Sequence, residues 1–337
     1  MKRNNYKTLD LFAGIGGIRL GFENAGFETV FGNDFDPYCK VTYDLNFKTT
    51  SLKVTDIAKI KSSDLPNFDI LLGGFPCQPF SIAGYRKGFL DTDRGNLFFE
   101  IIRILKDKKP QAFLLENVKN LKSHDQGRTF NIISEHLKDL GYYVKTQILN
   151  SMEYGNVPQN RERVYIVGFK SKEKFDAFEF PKPIPLTRTI ADLLEITVDK
   201  KYYYNNSPLF KILKASIKSQ GRVYQWRRAY VRENKSGVCP TLTANMGMGG
   251  HNVPLIRNSQ GIRKITPREC ARMQGFPENY QLPKDISDSK LYKQLGNSVT
   301  VSVVERVAQQ IREALDYKDN VYTETTQSPN KLLYQTA

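Results

Sequence analysis

The sequence predicts an α/β fold, built as a doubly wound and mostly parallel sheet with a smaller, irregular second domain. Short apolar runs alternate with helix-like segments up to about residue 170, which is typical of a parallel sheet with helices on both faces. A glycine turn, Gly14–Gly17, follows the first apolar run, where such sheets often bind ligands. The proline-rich stretch Phe180–Pro185 suits neither a regular helix nor a central strand, so we place a linker there.

Each predicted element follows from a local pattern. The first strand starts at Thr8 and runs into the glycine turn, and Pro37 stands at an early helical position that tolerates proline. Thr266, with Glu269 three residues later, is a signal for a helix N-terminus. The remaining strands are predicted over 29–34, 69–72, 112–117 and 163–168, and the remaining helices over 18–25, 97–105, 129–140 and 298–315.

The composition indicates a folded protein with a polyanionic partner. The 337 residues include 50 Lys and Arg against 35 Asp and Glu, a formal net charge of +15, which favours nucleic acid. The four cysteines are far apart and lack the spacing of a zinc site. No apolar run reaches the ~18 residues that a membrane helix needs. We therefore expect a cytoplasmic, monomeric protein without a metal site.

The segment Gly73–Ser81 carries the strongest chemical signal. Cys77 stands between two prolines that stiffen the loop, directly after the apolar run Asp69–Leu72. A single free cysteine is more often a small buried hydrophobe than a nucleophile. The sequence Pro-Cys-Gln-Pro at a strand end reverses that judgement, because it resembles the catalytic loop of DNA cytosine carbon-5 methyltransferases.

Further motifs resemble the same family, in the family's order, over about residues 8–310. Their resemblance to the bacterial restriction–modification type implies the fold of methyltransferases that depend on S-adenosylmethionine (AdoMet). It also implies a catalytic domain over 1–180, target recognition over 186–262, and a return to recognition-domain support and the catalytic domain over 263–315. The composition of 316–337 predicts a polar tail. The motifs are Asp10–Gly17, Asn33–Asp36, Thr55–Ile57, Leu114–Val118, Gln159–Arg163, Arg263–Pro277 and Gln294–Val299.

The resemblance implies AdoMet as the cofactor. Asp34 would bond the ribose hydroxyls and Asp56 the adenine amino group, since carboxylates accept from both. Phe12 and Phe35 would flank the adenine ring. The glycine turn alone fits a dinucleotide-binding oxidoreductase equally well, because Asp34 also lies at the spacing which that class uses. The other implied AdoMet contacts are Gly14, Gly16, Gly17, Ile57, Gly73, Pro76, Leu97, Asn297 and Ser298.

The resemblance also implies the catalytic residues. Carbon 5 of cytosine is a poor nucleophile until a thiolate adds to carbon 6 and ring nitrogen 3 receives a proton. Cys77 would supply the thiolate, and Glu116 the proton, provided that burial raises the pKa of Glu116. Arg163 would hold the carbonyl oxygen of the base and steady Glu116, with Arg161 nearby. Read without the resemblance, Glu116 is equally well a surface acid at a strand end.

Two regions are expected to contact DNA. The loop 80–96 is long, polar and glycine-containing, and we expect it to close over an extruded base. The region 186–262 is expected to read the sequence through arginines, although any one arginine contacts phosphate more often than a base. The candidate contacts are Ser81, Arg86, Lys87 and Arg94 in the loop, and Arg222, Arg227, Arg228, Thr243 and Gly249 in the second region.

The predicted function is methylation of carbon 5 of a flipped cytosine in a specific short double-stranded DNA sequence. It would proceed through a covalent Cys77 adduct and would protect host DNA from a cognate restriction endonuclease. One alternative is a transfer-RNA cytosine-5 methyltransferase, which the long 186–262 region disfavours. Another is a catalytically silent DNA-binding regulator, which the presence of Cys77, Glu116 and Arg163 disfavours. The target sequence is not apparent from the chain.

Overall fold

A seven-stranded sheet forms the centre of the computed structural model, which describes residues 5–76, 97–227, 229–247 and 253–318. Its strands lie in the order β3-β2-β1-β4-β5-β8-β6. The first five strands run parallel, whereas β8 is antiparallel to both β5 and β6. The predicted mostly parallel sheet is thereby confirmed. The strands are β1 (Lys7–Leu11), β2 (Glu28–Asp34), β3 (Leu52–Val54), β4 (Ile70–Gly74), β5 (Ala112–Val118), β6 (Tyr143–Asn150) and β8 (Glu162–Phe169), with the short β7 (Gln159–Asn160) outside this sheet.

Helices cover both faces of this sheet. Successive strand residues point to opposite faces, so Leu72 packs in one cluster with Phe22 and Val303, whereas Leu71 packs in another with Phe98. The predicted doubly wound arrangement is confirmed. The helices are α1 (Gly17–Asn24), α2 (Pro37–Asn46), α3 (Leu97–Lys108), α4 (Arg128–Asp139), α5 (Ser151–Tyr154), α6 (Lys172–Ala177), α7 (Phe210–Ser216), α8 (Pro267–Met273), α9 (Asp288–Asn297) and α10 (Val301–Asp316). In the described part of the chain, no helix is both long and apolar enough to cross a membrane.

The second region contains a four-stranded antiparallel sheet in the order β10-β9-β12-β13. The sequence shows little alternation here because both faces of the sheet are partly covered. Val223 packs into a hydrophobic cluster that includes Cys239 and Ile265, while its neighbour Tyr224 packs against Leu213 of α7. A two-residue strand, β11, pairs with β7 and joins this region to the first half of the chain. The strands are β9 (Val223–Arg227), β10 (Tyr230–Asn234), β11 (Cys239–Pro240), β12 (Pro254–Asn258) and β13 (Gly261–Lys264).

Two helix starts show where local sequence signals suffice and where they fail. The predicted start at Thr266 is confirmed as a capping box: Thr266 Oγ1 accepts from the Glu269 N–H at 3.1 Å, and Glu269 Oε2 accepts from the Thr266 N–H at 2.8 Å. The final helix was predicted from Ser298 but begins at Val301. Ser298 instead has an extended backbone and ends α9, which the sequence analysis did not predict.

Asp10 is a fully buried acid in β1. Neither of its carboxylate oxygens makes a hydrogen bond of normal geometry with the described residues. Burial raises the pKa of Asp10 from its ordinary value of 3.8 to about 8, although the positive charge of Arg19 opposes the shift. Arg19 is itself buried and donates to Tyr43 at 2.9 Å and to Glu23 at 2.7 Å. The interior beneath the glycine turn thus favours a protonated Asp10 at neutral pH.

We predict that Asp10→Asn makes the stability of the protein less dependent on pH. The folded-state pKa lies above the unfolded value, so wild type loses stability as the pH rises from about 4 to about 8. The uncharged amide abolishes that loss. The difference between the free energies of unfolding at pH 5 and pH 8 should therefore be smaller in the variant by about 1 kcal/mol or more. Denaturant unfolding of both proteins at the two pH values measures it. An equal loss of stability in both proteins would contradict the assignment.

Candidate active site

A cavity of about 380 Å³ opens at the carboxyl ends of neighbouring parallel strands. Phe12 follows β1, Asp34 ends β2, Pro76 follows β4, and Glu116 lies near the end of β5; all four line the cavity. The strand order reverses direction between β1 and β4, which is where open α/β sheets bind their ligands. The volume suits a small organic molecule.

The turn after β1 is built to leave space. Gly14 has a φ of +54°, and a Cβ atom placed on it would meet nothing within 4 Å. Phe12 also has a positive φ, +55°, which is costly for a bulky residue and occurs mostly where function requires it. Gly17 starts α1, where a Cβ atom would come within 2.6 Å of Ser298 Oγ. The turn therefore keeps the cavity open and lets the Ser298 segment approach α1 closely.

Asp34 is held by two backbone N–H groups. Its Oδ2 accepts from Gly14 at 2.8 Å, and its Oδ1 accepts from Asp36 at 2.9 Å. Burial is the main cause that raises the pKa of Asp34, and the two N–H groups oppose it. Each carboxylate oxygen retains a lone pair for a ligand hydroxyl. The next residue, Phe35, is 71% exposed at the rim of the same cavity.

The structure separates the predicted cofactor residues into two groups. Asp56 is exposed and accepts from the Ala58 N–H at 3.0 Å, as the N-cap of a 3-10 helix. Gly73 packs between Leu115 and Ile101 in the core. These two, with Gly16 and Ile57, do not line the cavity. The predicted residues that do line it are Phe12, Gly14, Gly17, Asp34, Phe35, Pro76, Leu97, Asn297 and Ser298.

Glu116 and Arg163 face each other in the lining of the cavity. Arg163 Nε lies 3.1 Å from Glu116 Oε1, but the contact lacks hydrogen-bond geometry, so this oxygen has no hydrogen bond among the described residues. Burial is the largest cause that raises the pKa of Glu116, and the charges of Arg163 and Arg161 oppose it. A carboxyl with a raised pKa and a free oxygen can donate a proton to a bound molecule.

Arg161 is more deeply buried than Arg163. Its Nη1 donates to the Leu242 carbonyl at 2.8 Å, and its Nη2 donates to the carbonyls of Gly296, at 3.4 Å, and Ser298. Burial lowers the pKa of Arg161 to about 9, which still leaves it charged at neutral pH. Its main visible role is thus to tie the second region to the cavity wall.

Three further cavity residues were missed by the sequence analysis. Asn117 Nδ2 donates to the Phe75 carbonyl at 2.9 Å, which links the ends of β5 and β4. Lys293 and Asp36 also line the cavity and lie 2.9 Å apart. Asn117 could have been found, because it stands inside the Glu-Asn-Val motif next to Glu116. No local signal marks Lys293 and Asp36 as a pair.

Several predicted residues lie outside the part of the chain that the structure describes. The candidate nucleophile Cys77 is among them, and so is the whole loop 80–96. Their assignments remain predictions from the sequence. The residues concerned are Cys77, Ser81, Arg86, Lys87, Arg94, Arg228 and Gly249.

The described DNA-contact candidates lie in and around the antiparallel sheet. Arg222, just before β9, and Arg227, at its end, are exposed, and Arg227 Nη2 donates to Gln225 Oε1 at 3.3 Å. Thr243 is placed differently: its backbone lies so close to Gly296 that a Cβ atom there would come within 2.2 Å of it. This approach packs the 3-10 helix Ala244–Gly247 against α9, beside the cavity.

Sequence comparison relates most of the chain to one enzyme family. A family model described as C-5 cytosine-specific DNA methylase matches residues 6–313. The chain is 53% identical to the type II methyltransferase M.Bsp6I of Bacillus sp. (strain RFL6) over 310 residues, covering 90% of this chain and 98% of that relative. It is 44% identical to the type II methyltransferase M.NlaX of Neisseria lactamica over 314 residues, covering 92% and 97%.

Structural comparison supports the same fold. The S. pombe Dnmt2 methyltransferase has a TM-score of 0.72 at 23% identity, covering 93% of this chain and 100% of that chain. A putative DNA modification methyltransferase encoded within an E. coli prophage has a TM-score of 0.70 at 21% identity, covering 93% and 100%. At these identities the likeness concerns the fold, and it confirms the predicted fold class.

Proposed function

Because the chain belongs to the C-5 cytosine-specific DNA methylase family and is a methyltransferase of the type II class, we propose that it methylates a flipped cytosine within one short duplex sequence. The observation that carries this proposal is the pairing of buried Glu116 with Arg163 in the cavity that the glycine turn and Asp34 also line. A proton donor and a cofactor site thus share one space. The wider role is protection of host DNA from a cognate restriction endonuclease.

The residues present fit AdoMet as the cofactor that the family uses. The open turn at Gly14 and the lone pairs of Asp34 suit a ligand with ribose hydroxyls, and the exposed Phe35 ring suits an adenine face. When bound there, AdoMet supplies an electrophilic methyl group. Asn297 and Ser298 close the same wall from the far end of the chain.

The proposed reaction divides the chemistry between Cys77 and Glu116. The Cys77 thiolate adds to carbon 6 of the base while Glu116 gives its proton to ring nitrogen 3, which makes carbon 5 nucleophilic. The methyl group would pass to carbon 5 as its bond to the AdoMet sulfur breaks, which would leave the thioether S-adenosylhomocysteine. Loss of the carbon 5 proton to a water molecule and elimination of the thiolate restore the aromatic ring, and nitrogen 3 returns its proton to Glu116. Arg163 steadies Glu116 and offers its remaining N–H groups to the base carbonyl.

An extruded base must be enclosed if this chemistry is to exclude water. We assign that role to the loop 80–96, as the sequence predicts, with Ser81, Arg86, Lys87 and Arg94 as its DNA contacts. The transfer-RNA alternative is not favoured by any observation on this chain. A silent regulator would not need Glu116 to keep a raised pKa.

We expect Cys77→Ser to abolish methyl transfer while it leaves cofactor binding intact, because a hydroxyl is a far weaker nucleophile than a thiolate. With a duplex that carries 5-fluorocytosine, wild type should form a covalent adduct that survives a denaturing gel. Cys239→Ser is the matched control, because Cys239 is buried away from the cavity. Equal trapping by the Cys77→Ser protein would refute the assigned nucleophile.

We expect Glu116→Gln to bind DNA but to turn over about 10²–10⁴-fold more slowly, because the amide cannot deliver a proton. In wild type, kcat should fall as the pH rises through the raised pKa of Glu116, since only the protonated acid donates. The variant should lack that fall. Single-turnover rates measured across pH test both points, and a near-normal rate would show that another group protonates the base.

Sequence recognition is proposed for the antiparallel sheet of the second region. Arg227 pairs with Tyr230 across the β9–β10 hairpin, and Gln225 pairs with Arg232, so these four side chains share one face. Arg222 lies at the start of the same hairpin, 4.0 Å from Glu233. Arginines on one face of a two-stranded ribbon can reach guanine edges in the major groove.

We predict that at least one alanine variant among Arg222, Arg227, Arg228 and Arg232 alters the methylated sequence. Loss of a base contact should relax one position by ~1–3 kcal/mol, whereas loss of a phosphate contact weakens binding to all DNA and reduces its salt dependence. Bisulfite sequencing of plasmid DNA from expressing cells reads the outcome, with Lys172→Ala as a surface control. Unchanged site preference in all four variants would place base reading elsewhere.

A further inference from the structure

Three side-chain hydrogen bonds beside the cavity join helix α9 to the N-cap and first turns of α2. Lys293 Nζ donates to Asp36 Oδ2 at 2.9 Å. Gln294 Nε2 donates to the Tyr38 carbonyl at 2.8 Å, and Gln294 Oε1 accepts from Thr42 Oγ1 at 2.8 Å. Lys293 and Asp36 are 257 residues apart in the chain, so the contact is purely tertiary.

Asp36 connects this contact to the acid in the cavity wall. Its backbone N–H donates to Asp34 Oδ1 at 2.9 Å, while Gly14 holds the other oxygen at 2.8 Å. The Oδ1 of Asp36 accepts from the Tyr38 N–H at 3.0 Å as the N-cap of α2, which leaves its Oδ2 for Lys293. Lys293, Asp36 and Asp34 all line the cavity. The orientation of Asp34 therefore depends, through the Asp36 backbone, on Lys293.

We infer that Lys293 is a positioning residue for the cofactor, an inference that rests on the proposed function. By holding Asp36, it keeps the Asp34 carboxylate turned towards the cavity. Its charge has a second use, because Asp34 and Asp36 are neighbouring acids that repel each other. The Lys293 ammonium offsets the charge of Asp36 without occupying either oxygen of Asp34.

Two other roles for Lys293 make different predictions. A purely electrostatic role would disfavour the cationic AdoMet relative to its uncharged product, S-adenosylhomocysteine, so loss of Lys293 would change the ratio of the two affinities. A purely structural role would lower the melting temperature and leave ligand binding unchanged. If Lys293 positions Asp34, its loss should lower the affinity for both ligands equally, since both carry the same ribose.

The test is calorimetric binding of AdoMet and of S-adenosylhomocysteine to the full chain. Lys293→Met removes the charge at similar length, Lys293→Arg retains it, and Asp36→Asn removes the partner's charge while it keeps a good helix cap. Lys201→Met is the matched control, because Lys201 pairs with Asp288 at 2.9 Å on the first turn of the same helix.

Lys293→Met and Asp36→Asn should each lower the affinity for both ligands by about five- to tenfold. The affinities of Lys293→Arg should stay within about twofold of those of wild type, and Lys201→Met should bind both ligands as wild type does. The double variant Asp36→Asn/Lys293→Met should be no weaker than either single change, since both break one interaction.

The possible failures are distinguishable. Wild type that binds neither ligand would overturn the proposed function itself. If wild type binds and Lys293→Met and Asp36→Asn bind equally well, Lys293 does not position the cofactor site, whatever their melting temperatures. A changed ratio of the two affinities without a common loss would also overturn the inference, in favour of the electrostatic role. Should Lys293→Met fail to fold, Asp36→Asn and Lys293→Arg decide by the same criteria.

Discussion

The buried guanidinium of Arg161 holds three separate parts of the chain at one point. It donates to the carbonyl of Leu242 in the second region and to the carbonyls of Gly296 and Ser298 at the end of α9. A buried charge is costly unless several acceptors surround it, so these carbonyls cannot move far without leaving it unsatisfied. The relative placement of the second region and the cavity wall depends on this residue.

A second buried polar group reinforces the same junction. Gln159 accepts from the Leu242 N–H at 3.0 Å and donates to the Met273 carbonyl at 2.7 Å. Gln274 continues the network by donating to the Leu295 carbonyl at 2.8 Å. Because an unpaired buried polar group raises the free energy of the folded protein, the network favours one arrangement of the segments. A precise cavity needs this, since its walls come from segments within 12–39, 74–76, 97–118, 161–163 and 293–299.

The electrostatics of Glu116 balance two opposed effects. Burial favours the neutral acid, whereas Arg163 and Arg161 favour the carboxylate, and burial is the larger effect. With less burial the group would be ionised and unable to donate a proton, and without the arginines its conjugate base would be left unpaired after donation. The same two arginines thus serve stability and chemistry together.

The sequence by itself determined the alternation of the main strands and helices in the first half of the chain and the identity of the chemical groups at the strand ends. It could do so because apolar runs, glycine turns and caps such as Thr266–Glu269 are local, and because the carboxyl ends of parallel strands meet at one edge. Asp34 and Glu116 could therefore be placed together from the sequence. Strand β6 was missed because its middle residues, such as Lys145 and Gln147, are polar and only half-buried.

Only the tertiary structure decided which distant residues meet and what their surroundings do to them. The pairing of Lys293 with Asp36, the position of Gly296 against Thr243 and the raised pKa of Glu116 all depend on packing between segments far apart in the chain. Asp56 shows the converse, since its motif predicted a cofactor contact and the fold leaves it outside the cavity wall. Local sequence specifies a residue's chemistry and its backbone, whereas burial, charge neighbours and access are properties of the folded whole.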